Sequence, residues 1–229
     1  MVDAFDRIVL GVPDLDRAVE QYRVLLGAAA FRCEHRSGIA WLGLPNTVVE
    51  LRETGSEPAA IRSLVMSDPG GGAEAEPVAN PMGLDLWLCD GSCTAQFRGR
   101  HPDAQVSALR VDHLVLRTAS ARDCIGLFSE QLGIRLALDR TVPEWGGRML
   151  FFRTGKLTLE VIEPDAAPEG GDHFWGIAYQ CRDIDSKVTA ISEAGVTVSE
   201  VRPGRKPGTR VATVKSHCLG IPTLLIGAT

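Results

Sequence analysis

His113 and Glu160 are the residues whose types and settings best suggest chemistry. His113 lies in the run Val111-Asp112-His113-Leu114-Val115-Leu116 and Glu160 in Leu157-Thr158-Leu159-Glu160-Val161. Both runs are short, β-rich and alternating, so each titratable side chain shares a strand face with few others. A carboxylate on the inner face of a sheet is costly unless it is paired or bound to a metal. An imidazole beside a carboxylate can act as a general base near neutral pH, or the two can ligate a divalent cation. The residues themselves leave both uses open.

Other candidates are weaker. The stretch Arg202-Pro203-Gly204-Arg205-Lys206-Pro207-Gly208-Thr209-Arg210 carries four cations in nine residues of an acidic chain. It reads either as an anion clamp, with Arg210 opening a strand and Arg205 in the loop, or as a solvated turn. Trp145, Phe174, Trp175 and Tyr179 either wall a pocket or pack in a core. His173 and His217 are spare imidazoles. The six cysteines are scattered and read as buried thiols; Cys89 and Cys93 have no second pair at zinc-finger spacing. No nucleophile elbow, phosphate loop or dinucleotide fingerprint is present.

The elements that must hold these residues repeat. Phe5-Asp6-Arg7-Ile8-Val9-Leu10 parallels the His113 strand, and the Leu-Gly that ends the following helix recurs at Leu26-Gly27 and Leu132-Gly133, both landmarks 106 residues apart. Each copy then reaches a Glu-bearing strand, Val48-Val49-Glu50-Leu51 and the Glu160 strand. Asp14 caps a helix with Ala18, Val19, Tyr22, Leu25 and Leu26 on one face, and Gly27 stops it. In the second copy Ile125, Phe128 and Leu132 form the equivalent stripe. Residues 176–229 repeat the order once more: a strand at 176–181, a helix at 183–194, and strands at 196–198, 210–215 and 221–226. Residues 61–100 keep strands at 61–67 and 83–89 but replace the helix with Gly and Pro. Residues 99–109 read as a linker.

Four β-α-β-β-β-like units, with Asp-His opening a strand and Leu-Glu closing one, resemble the vicinal oxygen chelate superfamily, which includes glyoxalase I, bleomycin resistance proteins, methylmalonyl-CoA epimerase and extradiol dioxygenases. The resemblance implies an α+β fold of tandem βαβββ units. They would form two curled, open-barrel-like mixed sheets with helices outside, one half at 1–104 and the other at 105–229. It also implies a divalent metal (Zn, Ni, Mn or Fe) held by residues of first and last strands, here His113 and Glu160. The fourth unit departs from this pattern, with Gly176 where a His belongs and no carboxylate at the end of its last strand. In the N-terminal half Arg7 and Glu50 replace the ligands, and an ion pair is the plain reading. The C-terminal half is therefore expected to hold the functional cavity. One functional expectation is a lyase, isomerase or dioxygenase acting on a small oxygenated metabolite through His113 and Glu160, with Arg210, Arg205, Trp145 and Tyr179 binding the substrate. The alternative is a metal-free protein that binds or sequesters a small molecule.

The bulk properties agree with either. The chain has 229 residues, 45% hydrophobic and 23% charged, with a net charge of −5. That is enough apolar material for a sizeable core, and the acidic balance argues against a nucleic-acid partner held by phosphate contacts. No apolar run approaches a membrane span and no basic, apolar leader opens the chain, so a cytoplasmic location is expected. Homodimers are common in the family.

Overall fold

The computed structural model describes all residues except 33–36, 99–108, 143 and 145. The first unit comprises β1 (Ala4–Val12), α1 (Leu15–Leu26), β2 (Ala30–Arg32), β3 (Ile39–Gly43) and β4 (Val48–Glu53). The second has β5 (Ala60–Ser67), β6 (Glu76–Pro77), β7 (Asp85–Cys89) and the single turn α2 (Ser92–Ala95). The third runs β8 (Arg110–Arg117), α3 (Ala121–Cys124), β9 (Arg135–Val142), β10 (Gly147–Thr154) and β11 (Leu157–Pro164). The fourth is β12 (His173–Gln180), α4 (Ile184–Glu193), β13 (Arg202–Pro203), β14 (Thr209–Val214) and β15 (Thr223–Ala228).

Local chemistry sets these boundaries. Asp14 accepts a hydrogen bond from the Arg17 amide at 2.9 Å and Gly27 takes the left-handed conformation that ends α1. Ser120 and Asp183 cap α3 and α4 in the same way. Two elements differ from expectation. α3 runs on as a π-helical stretch, Ile125–Gln131, where the Leu132 amide reaches back to the Leu127 carbonyl. The wider turn brings Leu127, rather than Ile125, fully into the core. The strand expected at 196–198 is reduced to one bridge, Val198 to Val214.

Two mixed sheets result, in the orders β2-β3-β4-β1-β5-β7-β6 and β13-β14-β15-β12-β8-β11-β10-β9. Within each unit the first strand runs parallel to the last, and the two first strands of a sheet pair antiparallel at its centre. Neither sheet closes into a barrel. The expected α+β class with tandem units is the class observed. One continuous apolar core, from Val2 through Tyr22, Leu114, Phe128 and Leu159 to Leu225, joins the helices and the helix-bearing faces of both sheets. Asn46 ties the halves together by accepting from the Val111 amide at 3.1 Å and donating to its carbonyl at 2.8 Å. The other face of each sheet is free of helices of unit length.

The central strand pairs carry four bulges. The register skips Asp6 in β1, Arg62 in β5, Asp112 in β8 and Trp175 in β12. Such an extra residue interrupts the alternation of side chains, so that it and its successor can share a face.

Candidate active site

The bulge at Asp112 builds the site. Consecutive strand residues ordinarily point to opposite faces, yet Asp112 Oδ2 lies 3.0 Å from His113 Nδ1. Val111 and Leu114 turn into the core while Asp112 and His113 face the helix-free side. β11 runs parallel to β8 with Thr158 beside His113, which places Glu160 on the same face two residues further on. Glu160 Oε2 is 3.5 Å from His113 Nε2. Both side chains are largely withdrawn from water, His113 18% and Glu160 15% exposed.

An imidazole between two carboxylates has a defined electrostatic state. Burial, the largest influence on the ring, opposes its protonation. The hydrogen bond to Asp112 and the charges of Glu160 and Asp112 outweigh burial and raise His113 above its ordinary 6.5. Burial raises Glu160 from its ordinary value, against the pull of His113 and Arg205. The hydrogen bond with His113 lowers Asp112, and Lys206 adds to that. An ionised Asp112 favours the tautomer that donates Nδ1–H to it, which leaves Nε2, on the Glu160 side, as the nitrogen that exchanges protons.

The other candidates divide. Arg205 lies near enough to Glu160 for its charge to favour the ionised carboxylate. Arg210 does not face His113: it pairs with Gly227, whose Cβ position abuts Ile184 of α4, so strand alternation turns it to the helix side. There it forms a forked ion pair with Asp185, with Nη2 to Oδ1 at 2.9 Å. Tyr179 is fully buried in the core on the face opposite to His113, because the Asp112 bulge pairs it with Val111; as a substrate contact it is corrected to a core residue. Trp145 lies outside the described residues. His173 Nδ1 bonds the Gly171 carbonyl at 2.8 Å and the residue stands beside Arg117, not Glu160. His217 bonds Ser216 in the turn before β15. Asp112 was missed, since alternation alone sends it away from His113. Its signal is the parallel Asp6-Arg7.

That parallel is structural. In the N-terminal sheet Arg7 Nη1 meets Asp6 at 2.7 Å and Arg7 Nε meets Glu50 at 3.0 Å, so a guanidinium stands where the imidazole stands in the C-terminal sheet. Glu50 is also held by Arg52 at 2.6 Å and the Trp41 indole at 2.9 Å. The segment after α2 covers this face. Arg98 pairs with Asp6, and the Phe97 ring lies 5.1 Å from those of Phe31 and Trp41. Among the described residues, ion pairs and the segment after α2 occupy this face around Arg7.

The fold family implies a divalent metal, and the donor set can be tested against it. Reciprocal pairing of His113 with Ala178 and Val115 with Gly176 makes Gly176 the β12 counterpart of His113, and Leu224 stands where β11 has Glu160. Neither offers a donor. A Cβ on Gly176 would sit 2.7 Å from the Pro222 carbonyl oxygen, so that position is closed to side chains as well. Asp112 lies on the far side of the ring from Glu160. Among the described residues no group of three His, Cys, Asp or Glu side chains could hold an ion. Catalytic metal sites ordinarily use three protein ligands, and the residues here do not fit one.

Comparison with known proteins agrees with the fold. Residues 112–213 match the model of the Glyoxalase/Bleomycin resistance protein/Dioxygenase superfamily. The whole chain superposes on a triple mutant of 4-hydroxymandelate synthase from Streptomyces coelicolor, with a TM-score of 0.74 and 14% identity, covering 100% of this chain and 93% of that one. The family model thus covers just under half of the chain, in its C-terminal part, and the likeness to the solved structure is one of fold. Ethylmalonyl-CoA/methylmalonyl-CoA epimerase of Cereibacter sphaeroides is 32% identical over 76 residues, 31% of this chain and 57% of its own length. The uncharacterized protein YqjC of Bacillus subtilis is 26% identical over 102 residues, 41% of this chain and 73% of its own.

Proposed function

We propose that the chain is an enzyme that moves a proton at a carbon beside a carbonyl of a small oxygenated metabolite, without a resident metal. The observation that carries this reading is the imidazole clamped between Asp112 and Glu160 on the helix-free face of the C-terminal sheet. Asp112 fixes the tautomer, Nε2 takes the proton from carbon, and the imidazolium so formed lies between two carboxylates that stabilise it. The electron pair left behind moves onto the carbonyl oxygen as an enolate, which the Arg205–Lys206 loop can face. Delivery of the proton from Nε2 to a neighbouring atom of the enolate system completes an isomerisation with no net oxidation, and its return to the same carbon restores the substrate with its hydrogen exchanged. Similarity to an epimerase named for acyl-CoA substrates supports this class of reaction.

The test uses methylmalonyl-CoA and a panel of small 2-oxo acids in deuterium oxide. Wild type is expected to introduce deuterium next to the carbonyl, and His113→Gln to slow this by roughly 10²–10⁴-fold, the usual contribution of a general base. A second reading, a binding protein, is favoured by the absent donors at Gly176 and Leu224. Saturable binding of a probe with no exchange, unchanged in His113→Gln, selects it. Titration with Zn, Ni, Mn and Fe is expected to show no stoichiometric site, and one tightly bound ion per chain that is lost in Glu160→Ala contradicts the metal-free reading.

A further inference from the structure

The fourth unit carries Trp175-Gly176 at the bulge where the third carries Asp112-His113. The bulge does for Trp175 what it does for Asp112: it turns the side chain onto the helix-free face. Trp175 is 42% exposed, a high value for the largest apolar side chain. The Arg117 guanidinium lies over its ring, 5.7 Å from the centroid. Arg117 is half-buried and, among the described residues, has no carboxylate or carbonyl partner. It stands on the His113 face of β8, and β11 places Ile162 beside it, two residues beyond Glu160. A partly desolvated guanidinium that lacks an anion, set against an open aromatic face, suits a flat body and a carboxylate at once. Leu138, 49% exposed, flanks the same face and continues through Phe151 to Glu160 in one cross-strand row. The apolar surface left open on this face thus brackets the imidazole–carboxylate couple.

We infer that Trp175 and Arg117 form the ligand-recognition element of this site and select a carboxylate that carries a flat, conjugated body beside the carbon that loses its proton. Arg117 takes the carboxylate through its fork and Trp175 stacks on the body. The inference rests on the reading of His113 and Glu160 as the reacting groups and supplies the substrate class that reading lacks.

Calorimetric titration of the full chain with three probes tests it: benzoate (planar, anionic), benzamide (planar, neutral) and cyclohexanecarboxylate (anionic, not planar). Benzoate is expected to bind wild type most tightly. Arg117→Gln should weaken benzoate roughly tenfold to a hundredfold, the scale of a lost charge-assisted hydrogen bond, and leave benzamide unchanged. Arg117→Lys should recover part of the loss, and Trp175→Ala should weaken benzoate and benzamide alike. Both side chains are at least partly exposed, and circular dichroism checks that the variants fold. Undetectable benzoate binding at millimolar concentration, or equal affinity in wild type and Arg117→Gln, overturns the inference. So does a Trp175→Ala variant that binds benzoate normally but dissociates a dimer in sedimentation, which assigns the patch to a second copy. Deuterium exchange that depends on His113 while benzoate binding ignores Arg117 and Trp175 refutes the recognition element alone. Absent exchange with Arg117-dependent benzoate binding refutes the proton-transfer reading alone.

Discussion

A single carboxylate decides what His113 can do. Asp112 holds Nδ1 at 3.0 Å, so Asp112→Asn keeps the shape but offers the ring a donor or a weaker acceptor. Deuterium exchange is expected to fall at least tenfold, and its pH profile to shift to lower pH as the imidazole loses a charge that raised it. An unchanged profile assigns Asp112 no part in positioning. In the other half, Arg7 is the buried cation between Asp6 and Glu50, and Arg7→Ala takes from both carboxylates the cation they share, leaving Arg98 at Asp6 and Arg52 at Glu50. Removing one partner of such a cluster costs about 3–5 kcal/mol, which urea denaturation will measure. The pairing of His113 with Glu160 was legible from residue types and the repeat. Asp112 was not, because alternation places neighbours on opposite faces and only a bulge reverses that. Arg210 and Tyr179 went astray for the same reason: composition marks a cation or an aromatic, but register decides which face it occupies.

Bulges and glycines shape the strands around the site. Four register shifts at matching places in β1, β5, β8 and β12 present Asp6, Arg62, Asp112 and Trp175, and the residues that follow them set the fate of each unit. Gly176→His places a donor at the family's position, yet its Cβ meets the Pro222 carbonyl. The expected result is a loss of about 1–3 kcal/mol in stability with no gain of metal binding. Tight zinc binding by this variant at wild-type stability contradicts the closed geometry. Gly43 shows the same effect in the N-terminal sheet, where a Cβ would collide with the Phe97 carbonyl oxygen at 1.8 Å. Helix caps, stop glycines and the missing second helix were readable because local chemistry sets them. The π-helical turn after α3 and the loss of strand 196–198 were not, since tertiary packing decides both.

Across the whole molecule one core joins the two sheets, so the halves are expected to unfold together in a single calorimetric transition, and two resolved transitions contradict that. Among the described residues, the hydroxyls of Tyr22 and Tyr179 lie buried in this core without hydrogen-bond partners. Tyr179→Phe removes one of them and is expected to leave stability equal or higher, because an unsatisfied buried hydroxyl costs about 1–3 kcal/mol. The His113 couple also links stability to pH. Its folded-state pKa is raised above the ordinary 6.5, so its contribution is complete below that value and is lost as pH rises through the raised one. Wild type and His113→Gln should therefore differ in Tm at low pH and converge at high pH.

The most direct measurement is long-range proton–nitrogen NMR of the imidazole rings across a pH titration, with the His113→Gln spectrum assigning the ring of interest. His113 is expected to titrate above 6.5, and its neutral form to carry the proton on Nδ1, facing Asp112. A ring that titrates at or below 6.5, with its neutral proton on Nε2, would contradict this expectation.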